Sequence, residues 1–169
     1  MADYYTTAVI NAVPNDIVLK AEEHELLEQT GFDVQNQEGR GFYGYSSDGP
    51  RETCMDELAE LELDADVTSL ARRILARNYP GTEDNFETID FDHNDVLQQI
   101  LIDREHTGFI QVESSFSCSK GRADGFGGSG VHVTATTLEY VTTSLWLAER
   151  QAAHERRMAA QSTAPAPSE

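Results

Sequence analysis

Three groups of side chains in this 169-residue chain have the types and spacing that chemistry requires. In the first, Cys118, Lys120 and Arg122 precede the run Gly125-Phe126-Gly127-Gly128-Ser129-Gly130, so a thiol, two cations and a permissive backbone lie together. Those are ingredients of a phosphate cradle. A cradle, however, aims the N–H groups of a following helix at its anion, and here a Val-rich strand follows instead. Only three residues separate Cys118 from Arg122, which is too short for a phosphatase-type loop, so the segment reads as a glycine-rich hairpin connection beside a free thiol. In the second group, Asp90, Asp92, His93 and Asp95 offer oxygen and nitrogen donors to a divalent cation. The group lacks the glycine and distal glutamate of a calcium-binding loop, and helix capping by Asp92 or Asn94 accounts for part of it, so neither metal nor cofactor is expected. His24, His106, His132 and His154 are isolated from one another. An enzyme would have to gather Cys118, His132 and Arg122 in one cleft; no catalytic residue is assigned.

The third group is acidic. Glu52, Asp56 and Glu60 recur every four residues opposite Cys54, Met55, Leu58 and Leu61, with Glu57, Glu62, Asp64 and Asp66 close by. At 1.5 Å rise per residue, carboxylates four apart on a helix stand roughly 6 Å apart, comparable to successive phosphates of a nucleic-acid strand. Asp84, Asp90 and Asp92 extend the row if the fold brings them to the same side, as do Glu22 and Glu25. The ordinary reading is a solvated helix face. What sets this one apart is confinement: residues 1–107 hold 24 acids against 7 bases, whereas residues 108–169 hold 6 against 5, and the whole chain carries −18. Such a field repels nucleic acid and anionic lipid and attracts a basic protein surface.

The elements that must position these groups follow from patterning. Tyr4–Val13 reads as a strand stopped by Pro14, and Asp16–Thr30 as a helix capped by Asn15 and ended by Gly31. Residues 32–37 and 41–47 form a hairpin, and a helix is expected from Glu52. Val67, Leu70, Ala71, Ile74 and Leu75 give the i, i+3, i+4, i+7, i+8 spacing of a core-facing helix, and Val96, Leu97, Ile100 and Leu101 a shorter one capped by Asn94. Residues 82–95 read as a short strand or ordered loop, 109–118 and 131–142 as strands, and 144–158 as a terminal helix. The order is βαββαα(α)ββα: an α+β fold, mostly an antiparallel sheet with helices packed on one face. One domain is expected over 1–158, with 159–169 a disordered polar tail. Cys54 and Cys118 are expected as free thiols, and with no leader-like or membrane-length apolar run the expected location is the cytoplasm, the host's if a phage encodes the chain.

Phe116, Cys118-Ser119-Lys120, Arg122, Phe126-Gly127-Gly128 and Trp146-Leu147 make a C-terminal segment, about a quarter of the chain, similar to small acidic proteins carried on bacterial plasmids and phages. Ser129 breaks the fuller glycine run of that group, which brings no activity with it. The resemblance implies a mobile-element origin. Together with the charge it leads to an expected role as a non-enzymatic inhibitor that occupies a basic nucleic-acid-binding surface of a host defence complex. The alternatives are an immunity protein or antitoxin on a basic toxin, and a small enzyme around Cys118 and His132. Self-association is left open.

Overall fold

The computed structural model describes residues 4–11, 13–119 and 126–162; for Tyr4, Phe126 and residues 158–162 only the backbone path is described. Six strands form one antiparallel sheet in the order β2-β3-β1-β4-β5-β6: β1 Tyr4–Asn11, β2 Asp33–Gln37, β3 Gly41–Ser46, β4 Phe109–Cys118, β5 Phe126–Thr134 and β6 Leu138–Thr142. Alternation decides which face is buried. Val34, Phe42, Ala8, Ile10, Ile110, Val112 and Val133 point to one side and are sealed, while Tyr5, Tyr43, Tyr45, Glu113 and Glu139 point to the other.

The sealed side is covered by α1 Ala21–Gln29, α3 Ala65–Asn78 and α4 His93–Asp103, with the six-residue α2 Met55–Glu60 and a 3-10 helix, Glu83–Thr88, packed around α3. Helix α3 follows its pattern: Val67, Leu70, Ala71, Ile74 and Leu75 are all buried. The fold is α+β with an antiparallel sheet, as the patterning implied. Gly31 ends the first helix with φ +91°, a left-handed conformation that favours glycine.

Several boundaries move, each for a physical reason. The first helix begins at Ala21 rather than Asp16, because Ile17 and Leu19 are buried from an extended segment. Asn36 pins that segment, accepting from the Leu19 N–H at 2.7 Å and donating to its carbonyl at 3.1 Å. The cap of α4 is Asp92, not Asn94, which is buried inside the first turn. The expected strand 131–142 is two strands, since Thr134 Oγ1 accepts from the N–H groups of Thr136 and Thr137 and folds the chain back without glycine or proline. Strand β5 begins at Phe126, so Gly127, Gly128 and Gly130 are sheet residues rather than a connection. The ring of Phe116 lies over Gly127, where a Cβ would stand 2.2 Å from it. Thr142 Oγ1 accepts from the Leu145 N–H and caps α5, Thr143–Ser162, which runs four residues into the expected tail. Lys120, Arg122, Gly125 and residues 163–169 lie outside the described residues.

Candidate functional site

The acidic residues singled out by the sequence divide by the job each does. Asp56, Glu57 and Glu60 lie on α2, and Asp64 and Asp66 at the start of α3. Asp84 is in the 3-10 helix, and Asp90 and Asp92 lead into α4. These elements touch: α2 packs on α3 and on the 3-10 helix, which packs on α3 in turn. Thr53 and Phe91 form an antiparallel bridge, with N–H···O distances of 3.0 and 2.9 Å. The bridge sets Glu52 opposite Asp92, and both line one shallow concavity with Pro50, Arg51 and His93. Segments 52–66 and 83–92 are therefore neighbours on the helix layer.

The single helical row of Glu52, Asp56 and Glu60 does not form. The backbone of Thr53 is committed to Phe91, so the helix is capped at Cys54 and opens at Met55, leaving Glu52 outside it. Asp56 and Glu60 keep their four-residue spacing. Glu62 stands in a left-handed turn, φ +52°, that breaks the track before Asp64.

All ten residues are exposed except Asp92, which is half-buried. Among the described residues none of the ten forms an ion pair. Three have structural partners. Asp64 accepts from the Asp66 N–H at 3.1 Å, Glu57 from the Thr53 hydroxyl at 3.1 Å, and Asp92 from the N–H groups of Asn94 and Asp95 at 2.8 and 3.2 Å. Among the described residues, the side chains of Glu52, Asp56, Glu60, Glu62, Asp66, Asp84 and Asp90 form no hydrogen bond.

Compared with family models, curated proteins and solved structures, the chain matches none of them.

Glu22, offered above as an extension of the row, lies 3.9 Å from Lys20; the acids that find arginines are ones whose role the sequence hid. Glu23, which its neighbours Glu22 and Glu25 made look like part of an outer face, is 1 % exposed. Its carboxylate takes Arg104 through both nitrogens, Nη1 to Oε1 at 2.7 Å and Nη2 to Oε2 at 2.6 Å, and also accepts from the Lys20 N–H at 2.8 Å. That hydrogen bonding raises the Arg104 pKa above its ordinary value against the opposing effect of burial. At the other end of α4, Asp95 accepts from Asn78 at 2.7 Å and lies 3.7 Å from Arg77; beside Arg104, the last helical residue Asp103 pairs with Arg73 at 2.8 Å. Burial pushes the Asp95 carboxyl up and the Arg77 guanidinium down.

Two of the donors around Asp90, the carboxylates of Asp92 and Asp95, are spent on the helix start, while His93 Nδ1 is buried with no hydrogen-bond partner among the described residues. Asp92 and Asp95 form a reciprocal capping box, and His93 is buried with its ring 4.9 Å from that of Phe32. Burial lowers the pKa of His93. Among the described residues no three His, Cys, Asp or Glu side chains converge on a metal-sized site. Cys118 and His132 are not brought together either. Cys118 is buried on the helix side of β4, and His132 stacks on Phe109, centroids 4.6 Å apart, on the opposite side of the sheet. His132 pairs in register with Gln111, seven residues from Cys118 along β4, about 23 Å at the rise of a strand.

Patterning drew attention to helices and missed the sheet's uncovered face. The signal was present in the alternation of Tyr43 with Tyr45 and of Gln111, Glu113 and Ser115, which marks a strand wet on one side. Among the described residues no helix is long and apolar enough to cross a membrane.

Proposed function

We propose that this chain is a non-enzymatic interaction protein of mobile-element origin whose acidic helix layer occupies a basic, phosphate-binding surface on a host defence complex. The supporting observation is that two acid-rich segments distant in sequence fold against each other, and none of their ten selected carboxylates has a cation of its own among the described residues. A fold that needed these charges would pair or cap them. Here most are left to solvent, where they repel one another at a cost to the folded state. Carboxylates so placed steer a basic partner and bind it in a salt-sensitive way.

The test is capture of the partner from bacterial lysate at low and high salt, followed by competition with an oligonucleotide. Recovery of a nucleic-acid-binding complex whose oligonucleotide is displaced by the protein, and not by a Glu52→Lys, Glu60→Lys, Asp90→Lys variant, supports the reading. Those three positions are chosen because, among the described residues, no hydrogen bond or ion pair holds their side chains. Recovery of a single small basic toxin assigns the immunity role instead, and displacement that ignores the three reversals rejects the helix layer as the contact.

A further inference from the structure

The uncovered sheet face carries a second anionic surface, built differently from the first. Cross-strand register sets Asp33, Tyr45, Val9, Glu113, Gly130 and Val141 in one row, with Gln111, His132 and Glu139 in the next. Among its described strand residues this face has carboxylates at Asp33, Glu113 and Glu139 and no lysine or arginine, and Arg150 of α5 stands at its edge over Trp146. It also exposes tyrosine rings, Tyr5 to 58 %.

At β4–β6 the face is hollowed. One groove of about 320 Å³ runs between Glu113 and Glu139 over Gly130, and a second of about 280 Å³ continues from it over Gly128 to Trp146. The hollow exists because Gly130 has no side chain. A Cβ there would make only ordinary contacts, 3.6 Å from Val141 Cγ1 and 3.8 Å from the Val112 carbonyl, so packing does not demand the glycine. Asn11 Nδ2 donates to Glu113 Oε1 at 3.1 Å and fixes one carboxylate at the groove's edge. Trp146, half-exposed at 48 %, already holds the Arg150 guanidinium 5.4 Å from its ring centre.

We propose that this groove, floored by Gly130 and bounded by Glu113, Glu139 and Trp146, receives an arginine-bearing segment of a basic protein partner. The chemistry selects that occupant. Carboxylates exclude phosphate, and a second copy would set the same carboxylates against one another in a chain of charge −18. A guanidinium is planar and weakly hydrated, pairs with carboxylates and stacks on aromatic rings, which an ammonium does less well. The proposal shares a basic partner with the function proposed above but rests on another surface, and its test separates the two.

Trp146 is the only tryptophan, so its emission reports on the groove. Titrating the full chain with a short oligoarginine peptide should give a saturable change in that emission, weaker with oligolysine and suppressed by salt. Gly130→Val fills the hollow with a strand-favouring side chain and leaves every charge in place; it should abolish the response. Glu113→Gln with Glu139→Gln should weaken it about tenfold, and the Lys reversals on the helix layer should leave it within about twofold. A wild-type response in Gly130→Val, or no response in the wild type, overturns the proposal. So does sedimentation showing a dimer in which Trp146 is shielded from quencher, which would make the occupant a second copy. Should Gly130→Val lose its far-ultraviolet circular dichroism, Glu113→Arg, an exposed change, serves in its place with the same expected loss.

Discussion

Two parts of the helix layer carry carboxylates and use them in opposite ways. Where α4 meets α1 and α3, Glu23 is sealed and Asp95 half-buried, and each, like the more exposed Asp103, faces an arginine from another element. Around α2 and the 3-10 helix the carboxylates stay in water and, among the described residues, none of the ten selected ones has a cation. Residue type does not separate the two groups. Burial does, because a carboxylate taken out of water must be paired or lose its charge, whereas one left in water is free for an outside partner.

The contrast is broken most severely by removing the cation from the buried pair. Arg104→Ala leaves Glu23 sealed without its cation, and should cost about 3–5 kcal/mol, lowering the thermal midpoint by about 10 °C. A midpoint within a degree or two of wild type would mean that Glu23 is served by water, and the distinction between the regions would fall.

A second probe is acidity at the seam between the two regions. Burial keeps His93 neutral in the folded chain, its pKa below the ordinary 6.5. The unfolded chain therefore takes up a proton first as pH falls through 6.5, and stability declines below that value by at most about 1.4 kcal/mol per pH unit from this group. His93→Leu should flatten the decline relative to wild type in denaturant titrations between neutrality and pH 5. Parallel curves for the two proteins would exclude a buried neutral imidazole.

Within the acidic region itself, capping residues should behave differently from the others. Asp92→Ala and Asp64→Ala each remove an N-cap and should cost about 1 kcal/mol, while Asp84→Ala and Asp90→Ala should stay within about 0.5 kcal/mol. Equal losses at all four sites would show that the whole region is structural. The smallest effect is expected from the Lys reversals at Glu52, Glu60 and Asp90: a gain in stability of a few tenths of a kcal/mol at low salt that vanishes at high salt, as relief of self-repulsion requires. A loss would indicate undetected pairing.

Much of this architecture is legible in the order of residues, for local reasons. The stripe from Val67 to Leu75 marks a helix lying on a core, and the bounds of β4 at Phe109 and Cys118 match its alternating pattern. Locally encoded features with unusual chemistry are harder to read. The hydroxyl-mediated turn at Thr134 has no glycine or proline to announce it, and a glycine run that looks like a loop is a strand whose missing side chains are replaced by the Phe116 ring on one side and left open on the other. The acidic candidates were legible as a surface, but their arrangement was not. Glu52 leaves the helical row because the backbone of the next residue, Thr53, is claimed by Phe91, 38 residues further along the chain.

By itself the sequence determined the sign of the charge, its concentration before residue 108, and an antiparallel sheet backed by helices, because composition and periodicity are properties of neighbouring residues. Only the tertiary structure decided that Glu23 meets Arg104 across 81 residues, that ten other carboxylates meet no cation among the described residues, and that one face of the sheet has, among those residues, only the start of α5 beside it and a groove at Gly130. The reason is that a charge's role depends on what shares its surroundings after the chain has closed on itself, and spacing along the chain does not carry that information.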